Sequence, residues 1–424
     1  MKLLIKNGRV VDPANNIDRV SDILVEAGKI SRAGEDLKAG AERIIDAAGK
    51  IVIPGIVDMH VHLRDPGRED KETVSSGTKA ALMGGVTSVL AMPNTEPAID
   101  SAEHAGLLKE IIKKTANCNV FICAAITKCR KGKELTDIAA LKKSGAIAIS
   151  DDGSSVDDEK LFSQAIRIAK EKKILTICHC EDKRLSGDGV VNLGLTSTRL
   201  GLRGISKESE YLRVERDIRI AEKAKSRLHI AHVSCKESVE IISRAKRKGV
   251  AVTCETAPHY FSLTEESVLD YDTNMKINPP LRTKDDVEAI REGLRNGTID
   301  AIASDHAPHT INEKEIEFDR AAFGAIGLET ELAVSISELI NTGLLDWPGL
   351  IKKMCLNPAR ILGLDKGTLS AGKDADIAII AADKEWQVQK EGIGSRSKNS
   401  CFLGRKLKGV VEHTICNGQI RYSL

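Results

Sequence analysis

The chain has 424 residues, of which 42% are hydrophobic and 29% are charged. Its 63 lysines and arginines nearly balance 61 aspartates and glutamates, which leaves a formal net charge of +2. This composition is typical of a globular enzyme, and it argues against a disordered chain and against a surface built to bind nucleic acid or a membrane.

The N-terminal residues lack the apolar core of a signal peptide, and no run of about 18 apolar residues occurs in the chain. None of the ten cysteines forms a CxxC pair. We therefore expect a cytoplasmic protein with reduced thiols and no membrane span.

The two ends of the chain differ from its middle. Residues 1–54 and 365–424 consist of short apolar stretches separated by turns, and neither end holds enough apolar surface for a core of its own. We predict that the two ends pair into one small β-sandwich domain. Residues 55–364 then form a larger domain.

The first strand of that larger domain precedes an unusual polar segment. Residues 51–57 are an apolar run that predicts a buried strand, and residues 58–64 follow it with the sequence DMHVHLR. Side chains two apart in a strand point the same way, so His60 and His62 project from one face, roughly 6.5 Å apart. This spacing suits two imidazoles that bind one metal ion, with Arg64 next on the same face to hold an anion. The alternative is a pair of ordinary polar residues at a strand end.

Apolar runs rich in valine and isoleucine recur along the middle of the chain, with helical patterns between them. Eight strands that alternate with helices predict an α/β fold, a (β/α)₈ barrel. An open doubly wound sheet is the alternative, although no GxGxxG motif follows the first strand. The eight predicted strands are residues 55–60, 86–91, 119–126, 146–150, 174–179, 228–233, 250–255 and 299–304.

Polar residues follow these strands where a barrel places its active site, at the C-terminal strand ends. Four histidines and two carboxylates are enough for two metal ions, and this set of nitrogen and oxygen ligands suits zinc. Spacing alone does not choose between the tandem aspartates after the fourth strand. The strand-end residues are His60, His62, Asn94, Asp151, Asp152, His179, His232 and Asp305.

Two segments carry a family resemblance, residues 58–67 (DMHVHLRDPG) and residues 304–309 (SDHAPH), with Lys314 five residues further on. Residues 92–95 (MPNT) and 150–153 (SDDG) add to it. The chain resembles the amidohydrolases, and among them the dihydroorotases of the bacterial and archaeal type. The similarity covers nearly the whole chain. Asp65 stands where many relatives have glutamate, a change that we expect to be without effect.

The resemblance implies two zinc ions per subunit, bridged by a carboxylate and a hydroxide. His60, His62 and Asp305 would bind one ion, and His179 and His232 the other. The family pattern favours Asp152, the aspartate before Gly153, as the bridge. Many relatives bridge with a carboxylated lysine instead, and Lys128 is the only comparable lysine here.

The resemblance also implies the reaction, the reversible cyclisation of N-carbamoyl-L-aspartate to (S)-dihydroorotate in pyrimidine synthesis, with Asp305 as the proton carrier. Arg64, Asn94 and His309 match residues that contact the substrate carboxylate. Asn278, Phe323 and Gly324 match residues that contact the ring. The alternative for His309 is a loop histidine that stabilises its own turn. His259 is expected to be structural, and His306 to point away from the metals.

Two other functions compete with this assignment. The first is another cyclic amidohydrolase, a dihydropyrimidinase or an allantoinase, although residues 305–309 and Arg64 favour an acidic substrate. The second is a non-catalytic scaffold that binds aspartate transcarbamoylase, but a relative of that kind typically loses metal ligands. We expect a homo-oligomer, a dimer or a tetramer, with aspartate transcarbamoylase as a candidate partner. Residues 181–211, a long segment with many glycines and serines, are expected to form a lid or a subunit contact.

Overall fold

The computed structural model describes residues 2–38 and 40–424. Met1 and Ala39, which belong to the predicted end domain, lie outside the described residues. The strands are β1 (Lys2–Asp12), β2 (Ile17–Glu26), β3 (Lys29–Gly34), β4 (Arg43–Asp46), β5 (Ile51–Pro54), β6 (Ile56–Val61), β7 (Val86–Ala91), β8 (Asn119–Ala124), β9 (Ala146–Ile149), β10 (Leu175–Cys178), β11 (Val191–Asn192), β12 (Gly204–Ile205), β13 (Leu228–Ile230), β14 (Val252–Thr256), β15 (Ala301–Ile302), β16 (Ile377–Gln387), β17 (Lys406–Cys416) and β18 (Gln419–Ser423). The α-helices are α1 (Val74–Met83), α2 (Ala102–Thr115), α3 (Ile138–Lys143), α4 (Glu159–Lys172), α5 (Lys183–Ser186), α6 (Leu195–Leu200), α7 (Glu208–Ala224), α8 (Lys236–Arg247), α9 (Lys284–Asn296), α10 (Ile311–Lys314), α11 (Glu331–Ser335), α12 (Trp347–Ile351) and α13 (Asn357–Leu362).

Eight parallel strands form the barrel, in the order β15-β14-β13-β10-β9-β8-β7-β6. The first and last strands meet through His306, whose carbonyl accepts from the amide of His62 at 2.9 Å. His306 also forms a parallel bridge with Val61. Each barrel strand overlaps one of the eight apolar runs of the sequence. The prediction of a (β/α)₈ barrel is therefore confirmed, and the doubly wound alternative is wrong.

The helices cover the barrel with amphipathic faces, as α4 illustrates. The side chain of Asp158 caps its N-terminus by accepting from two backbone amides of the first turn. Apolar residues then recur at intervals of three and four, which places them on one face of the helix. These residues are buried in the barrel core, and they are Phe162, Ala165, Ile166 and Ala169.

The apolar run at residues 51–57, predicted as one strand, divides between two sheets. Its first part is β5 and its second part begins β6, with Gly55 between them. A Cβ atom at position 55 would lie only 2.1 Å from Oγ1 of Thr87, so the chain passes between the sheets at a point that only glycine fits.

The second large sheet, the end sheet, combines both ends of the chain in the order β18-β17-β16-β5-β1-β2-β3, with β4 paired to β1. Its contacts include antiparallel pairing of β5 with β16, which joins the N-terminal and C-terminal segments. Buried side chains from both ends, such as Leu3 and Ile377, form one core. The predicted pairing of the two ends is confirmed, whereas the domain boundaries at residues 54 and 365 stay a prediction.

The segment 181–211 holds α5, α6 and a small parallel sheet of β11 and β12. Across residues 2–38 and 40–424, no helix combines the length and the hydropathy that a transmembrane span requires.

Candidate active site

The six side chains that the sequence predicts as metal ligands meet at the C-terminal end of the barrel. All of them are buried. They come from the ends of five different strands or from the residues just after them, and they are His60, His62, Asp152, His179, His232 and Asp305.

Asp152 lies at the centre of these six candidate metal ligands, which together are called the metal cluster. Its Oδ1 is 3.2 Å from Nε2 of His60, 3.4 Å from Nε2 of His232 and 3.7 Å from Nδ1 of His179. Its Oδ2 is 3.5 Å from Nε2 of His62. Because this carboxylate approaches all four imidazoles, its position is the one that a bridging ligand requires.

Asp305 completes the cluster beside the first two histidines. Its Oδ1 lies 3.3 Å from Nε2 of His62 and 3.7 Å from Nε2 of His60. Its backbone φ is +48°, a left-handed conformation that is uncommon outside glycine. Such strain is concentrated at functional sites, where it directs a side chain that regular strand geometry would aim elsewhere.

The neighbouring Asp151 has a different task. Its Oδ1 accepts the backbone amides of Ile126 at 2.8 Å and Thr127 at 3.0 Å. Its Oδ2 accepts the hydroxyl of Thr127. Asp151 therefore braces the loop after β8, and Asp152 is the tandem aspartate that faces the histidines.

Lys128, the candidate for a carboxylated bridge, lies away from the metal cluster. Its side chain is 56% exposed and its Nζ pairs with Glu134 at 2.5 Å. A bridging lysine would have to be buried between the imidazoles, so the structure contradicts this alternative.

The donor atoms of the metal cluster fit a cation. The buried ligand atoms form two groups, and within each group all atoms lie within 4.8 Å of one another. One group is His60, Asp152 and His232, and the other is His60, His62 and Asp305. Nε2 of His60 and Oδ1 of Asp152 have no hydrogen-bond partner among the described residues. Buried polar atoms without partners are costly, and a bound metal ion would satisfy both. Imidazole nitrogen and carboxylate oxygen are ligands that zinc accepts.

The two carboxylates of the metal cluster remain ionised. Burial raises the pKa of Asp152, but the surrounding imidazoles, His60 first, outweigh it and hold the pKa well below its ordinary value. Burial also raises the pKa of Asp305, and the hydrogen bond from His62 together with the nearby His60 and His232 lowers it far more. Both groups are therefore available as anionic ligands or proton acceptors at neutral pH.

Three of the histidines are oriented by acceptors on their outer nitrogens. Nδ1 of His60 lies 2.7 Å from Oε1 of Glu255, and Nδ1 of His62 lies 2.8 Å from Oδ1 of Asn94. For His179 it is Nε2 that lies 3.2 Å from Oε2 of Glu181. When the outer nitrogen donates to its acceptor, the other nitrogen has a lone pair to offer a metal ion in the cluster.

Glu255 joins a longer buried chain of polar groups. Its Oε2 lies 3.3 Å from Nε2 of His229, whose Nδ1 lies 2.8 Å from the hydroxyl of Thr253. Burial raises the pKa of Glu255, but the hydrogen bonds with His229 and His60 lower it to about 2. An anionic Glu255 therefore supports His60 from behind.

A cavity of about 590 Å³ opens in front of the metal cluster. Its wall includes five of the six cluster residues and every residue that the sequence assigns to substrate contacts. Those substrate-side residues are Arg64, Asn94, Asn278, His309, Phe323 and Gly324.

Arg64 reaches the cavity by a route that strand alternation does not predict. Strand β6 ends at Val61, and Arg64 has a left-handed φ of +60°. Its Nε donates to the carbonyl of Pro308 at 3.2 Å, and its Nη2 lies 3.4 Å from Nε2 of His309. Arg64 and His309 thus form one cationic and hydrogen-bonding face of the cavity, the anion face.

The residues predicted to contact the ring lie on other loops of the same cavity. Asn278 donates its Nδ2 to Oε2 of Glu181 at 3.1 Å, so its Oδ1 can accept from a substrate N–H. Gly324 has a φ of +130°, and a Cβ there would lie 2.7 Å from the Cβ of Ala307, so glycine is needed at this position. The Nζ of Lys276 lies 4.5 Å from the ring centre of Phe323.

The two histidines that the sequence leaves outside the site are both buried. His306 turns its Nε2 to Glu72 at 3.3 Å, and its Nδ1 accepts the amide of Gly327 at 3.2 Å, so its ring faces away from the metal cluster. His259 packs against Tyr260, with ring centres 4.2 Å apart.

The segment 181–211 contributes several residues to the cavity wall, among them Lys183, Asp188 and Ile205. It therefore forms part of the cavity wall. Its role as a lid or as a subunit contact stays a prediction.

Several residues of the site are absent from the sequence prediction. Glu255 is the last residue of the predicted seventh strand, and a carboxylate inside an apolar strand is a signal that could have been used. Glu181 lies two positions beyond the predicted fifth strand and lacks this signal. Lys71 and Glu313, which flank His309, lie in polar segments and also lack it.

Comparisons with known proteins agree with this geometry. A family model described as "Dihydro-orotase-like" matches residues 49–238. A dihydroorotase from Elusimicrobium minutum (strain Pei191) is 52% identical over 421 residues, which cover 99% of this chain and 98% of that protein. A dihydroorotase from Geobacter metallireducens is 51% identical and covers 100% of both chains.

Among solved structures, the L-hydantoinase (dihydropyrimidinase) of Arthrobacter aurescens is similar, with a TM-score of 0.89 over 99% of this chain and 95% of that one. Its sequence identity is 26%, half that of the dihydroorotases. Full-length identity near 50% to these dihydroorotases leads to one assignment: the chain belongs to the dihydroorotase family of amidohydrolases.

Proposed function

We propose that the chain interconverts N-carbamoyl-L-aspartate and (S)-dihydroorotate, a step of pyrimidine synthesis, with two Zn²⁺ ions per subunit. The observation that carries this proposal is the anion face, Arg64 with His309, which shares one cavity with the metal cluster. The relatives that are about half identical over their full length bear the name of this activity.

His60, His62 and Asp305 would hold one ion, His179 and His232 the other, and Asp152 both. When bound, such ions act as Lewis acids that polarise an amide carbonyl and lower the pKa of water from 15.7 to about 7. The acceptors beside the outer nitrogens of His60, His62 and His179 support this assignment of ligands.

Asp305 is the proton carrier of the reaction. It is ionised, and it can take a proton from the attacking water and deliver it to the amide nitrogen that leaves when the ring opens. In the direction of ring closure the same carboxylate removes the proton from the ureido nitrogen and returns it to the departing oxygen.

The anion face orients the substrate. Arg64 offers a planar pair of donors that matches a carboxylate, and His309 adds a further donor. Asn94 accepts from His62 with its Oδ1, which leaves its Nδ2 to donate to the substrate. Asn278 and the loop of Phe323 and Gly324 then contact the ring.

One assay separates this proposal from its rivals. The purified protein is tested on dihydroorotate, dihydrouracil and allantoin, and its zinc content is measured in the same samples. We expect about two zinc ions per chain and a clear preference for dihydroorotate. Preference for dihydrouracil or allantoin would favour a dihydropyrimidinase or an allantoinase, and zinc well below one ion per chain would favour a scaffold.

We further propose a cytoplasmic homo-oligomer, with aspartate transcarbamoylase as a candidate partner. Nine of the ten cysteines are buried and none is in a disulfide, which suits a reducing compartment. Light scattering gives the oligomeric state, and mixing with purified aspartate transcarbamoylase on a sizing column tests the association.

A further inference from the structure

Lys71 is a buried lysine behind the anion face. It lies between β6 and α1 and is only 7% exposed. Its Nζ is 2.8 Å from Oε1 of Glu313 and 3.3 Å from Nδ1 of His309. Its own carbonyl accepts the hydroxyl of Ser397 at 2.7 Å, which holds its main chain in place.

The contacts of His309 contain a conflict between two donors. An ammonium group can only donate, so the contact with Lys71 requires a lone pair on Nδ1. The contact of Arg64 with Nε2, at 3.4 Å, requires a lone pair on the opposite nitrogen. Burial lowers the pKa of His309 to about 3, so the ring is neutral and has one N–H and one lone pair. It can therefore accept from only one of the two cations.

The substrate requires one of these two contacts, that of Lys71 with His309, and this step rests on the proposed function. A carboxylate only accepts hydrogen bonds, so His309 can bind it only when Nε2 carries the proton and Nδ1 carries the lone pair. Arg64 is then free of the ring and can turn its Nη2 to the same carboxylate.

We propose that Lys71 is a positioning residue that holds His309 in the tautomer with Nε2–H and thereby makes the ring a donor to the substrate carboxylate. Glu313 acts in the opposite sense, since its Oε2 lies 3.4 Å from Nδ1 and would accept a hydrogen bond from an N–H at that nitrogen. That carboxylate is already engaged: Oε1 pairs with Lys71 and Arg68, and Oε2 accepts the amide of Thr310. Lys71 therefore donates to Nδ1 of His309, and its ion pair with Glu313 makes that carboxylate a weaker acceptor for the same nitrogen.

Nitrogen NMR of the zinc-loaded wild-type protein tests the tautomer directly. The chain is labelled with ¹⁵N-histidine, and the signals of His309 are identified by their loss in His309→Gln. With dihydroorotate bound we expect a protonated Nε2 and an unprotonated Nδ1. A protonated Nδ1 would overturn the proposal, and this measurement does not depend on how any Lys71 variant folds.

Kinetics of Lys71→Met test the consequence. We expect the KM for dihydroorotate to rise about 10- to 100-fold, the range for a lost hydrogen bond to a charged group. The kcat and the zinc content should stay within about threefold of wild type, and Nδ1 of His309 should become protonated. Lys71→Arg keeps a donor and should recover most of the affinity.

Arg68→Met is the matched control, because Arg68 also pairs with Glu313 at 3.0 Å but does not contact His309. Its KM should change by less than about threefold. An unchanged KM in Lys71→Met, or an equal rise in both variants, would overturn the role of Lys71. Absence of dihydroorotate turnover in the wild type would instead overturn the proposed function, so the two failures are distinguishable.

Discussion

The two sides of the cavity are built in different ways. The metal cluster lies on or just after barrel strands, and its histidines are oriented by acceptors that are themselves buried, such as Glu255. The anion face lies on loops, and its support is an ion-pair network in which the side chains of Arg68 and Glu313 are 31% and 28% exposed. One side is fixed by backbone geometry, and the other depends on charges near solvent.

This difference predicts two kinds of failure. Changes on the metal side should remove turnover or metal, because buried ligands have no alternative arrangement. Changes on the anion side should raise the KM and weaken selection for acidic substrates, because water and neighbouring charges can partly replace a lost partner. The following experiments test that division in order of expected effect.

Asp305→Asn should have the largest effect. The amide cannot carry the proton between water and the leaving nitrogen, and general acid–base groups contribute about 10²–10⁴-fold to the rate. We expect kcat to fall within that range while at least one zinc ion is retained, as measured by steady-state kinetics with metal analysis. Activity within about tenfold of wild type would contradict the role of Asp305.

Glu255→Gln should weaken metal binding. The amide keeps the size of the side chain but removes the charge that supports His60, and loss of such a partner typically costs about 10–100-fold in metal affinity. Competition with a zinc chelator measures this change. Glu385→Gln, at an exposed position of β16, is the control and should leave zinc affinity unchanged. Equal affinities in the two variants would mean that His60 needs no support from Glu255.

Arg64→Met should act mainly on the KM. Loss of hydrogen bonds to the substrate carboxylate should raise the KM for dihydroorotate about 10- to 100-fold, while the zinc content stays at the wild-type level. The KM of Arg64→Lys should lie between those of the wild type and Arg64→Met, because an ammonium lacks the planar pair of donors. A loss of zinc with an unchanged KM would make Arg64 a support of the metal side instead.

The smallest expected effect is a dependence of the KM on pH, caused by the titration of Lys276. Burial lowers its pKa to about 8, so its positive charge is present in the cavity below that pH and is lost above it. The KM for the anionic substrate should rise about fivefold as the pH passes 8, which corresponds to about 1 kcal/mol for a partly hydrated charge pair. Lys276→Arg keeps its charge and should abolish that rise. A rise of the same size in the variant would assign it to another group.

Local sequence patterns were sufficient to predict much of the fold and of the candidate site. Continuous apolar runs between helical patterns placed all eight barrel strands, since a strand buried on both faces must be apolar over its whole length. Residues that end parallel strands meet at one mouth, so His60, His179 and Asp305 could be grouped before any coordinates. Glu255 ends one of those strands but acts only through its contact with His60, and no local pattern specifies that contact.

Other features required the folded chain. The choice of Asp152 over Asp151 depends on which carboxylate the loop after β8 captures, and residues 126–127 provide those amides. The division of residues 51–57 depends on how closely Gly55 approaches Thr87. Lys71 and Glu313 meet at His309 only because the loop before α1 packs against the segment that holds His309 and α10, more than 200 positions away in the sequence.

The sequence by itself determined the barrel and the grouping of histidines and carboxylates at its mouth, because these follow from side-chain type and from the pattern of apolar runs, and the family resemblance implied the acidic substrate. The tertiary structure decided which atoms face one another: the aspartate at the centre of the metal cluster, the outward partners of its histidines and the lysine behind His309. Those contacts depend on strand register, barrel closure and left-handed backbone at positions such as Arg64 and Asp305, and no local pattern specifies them.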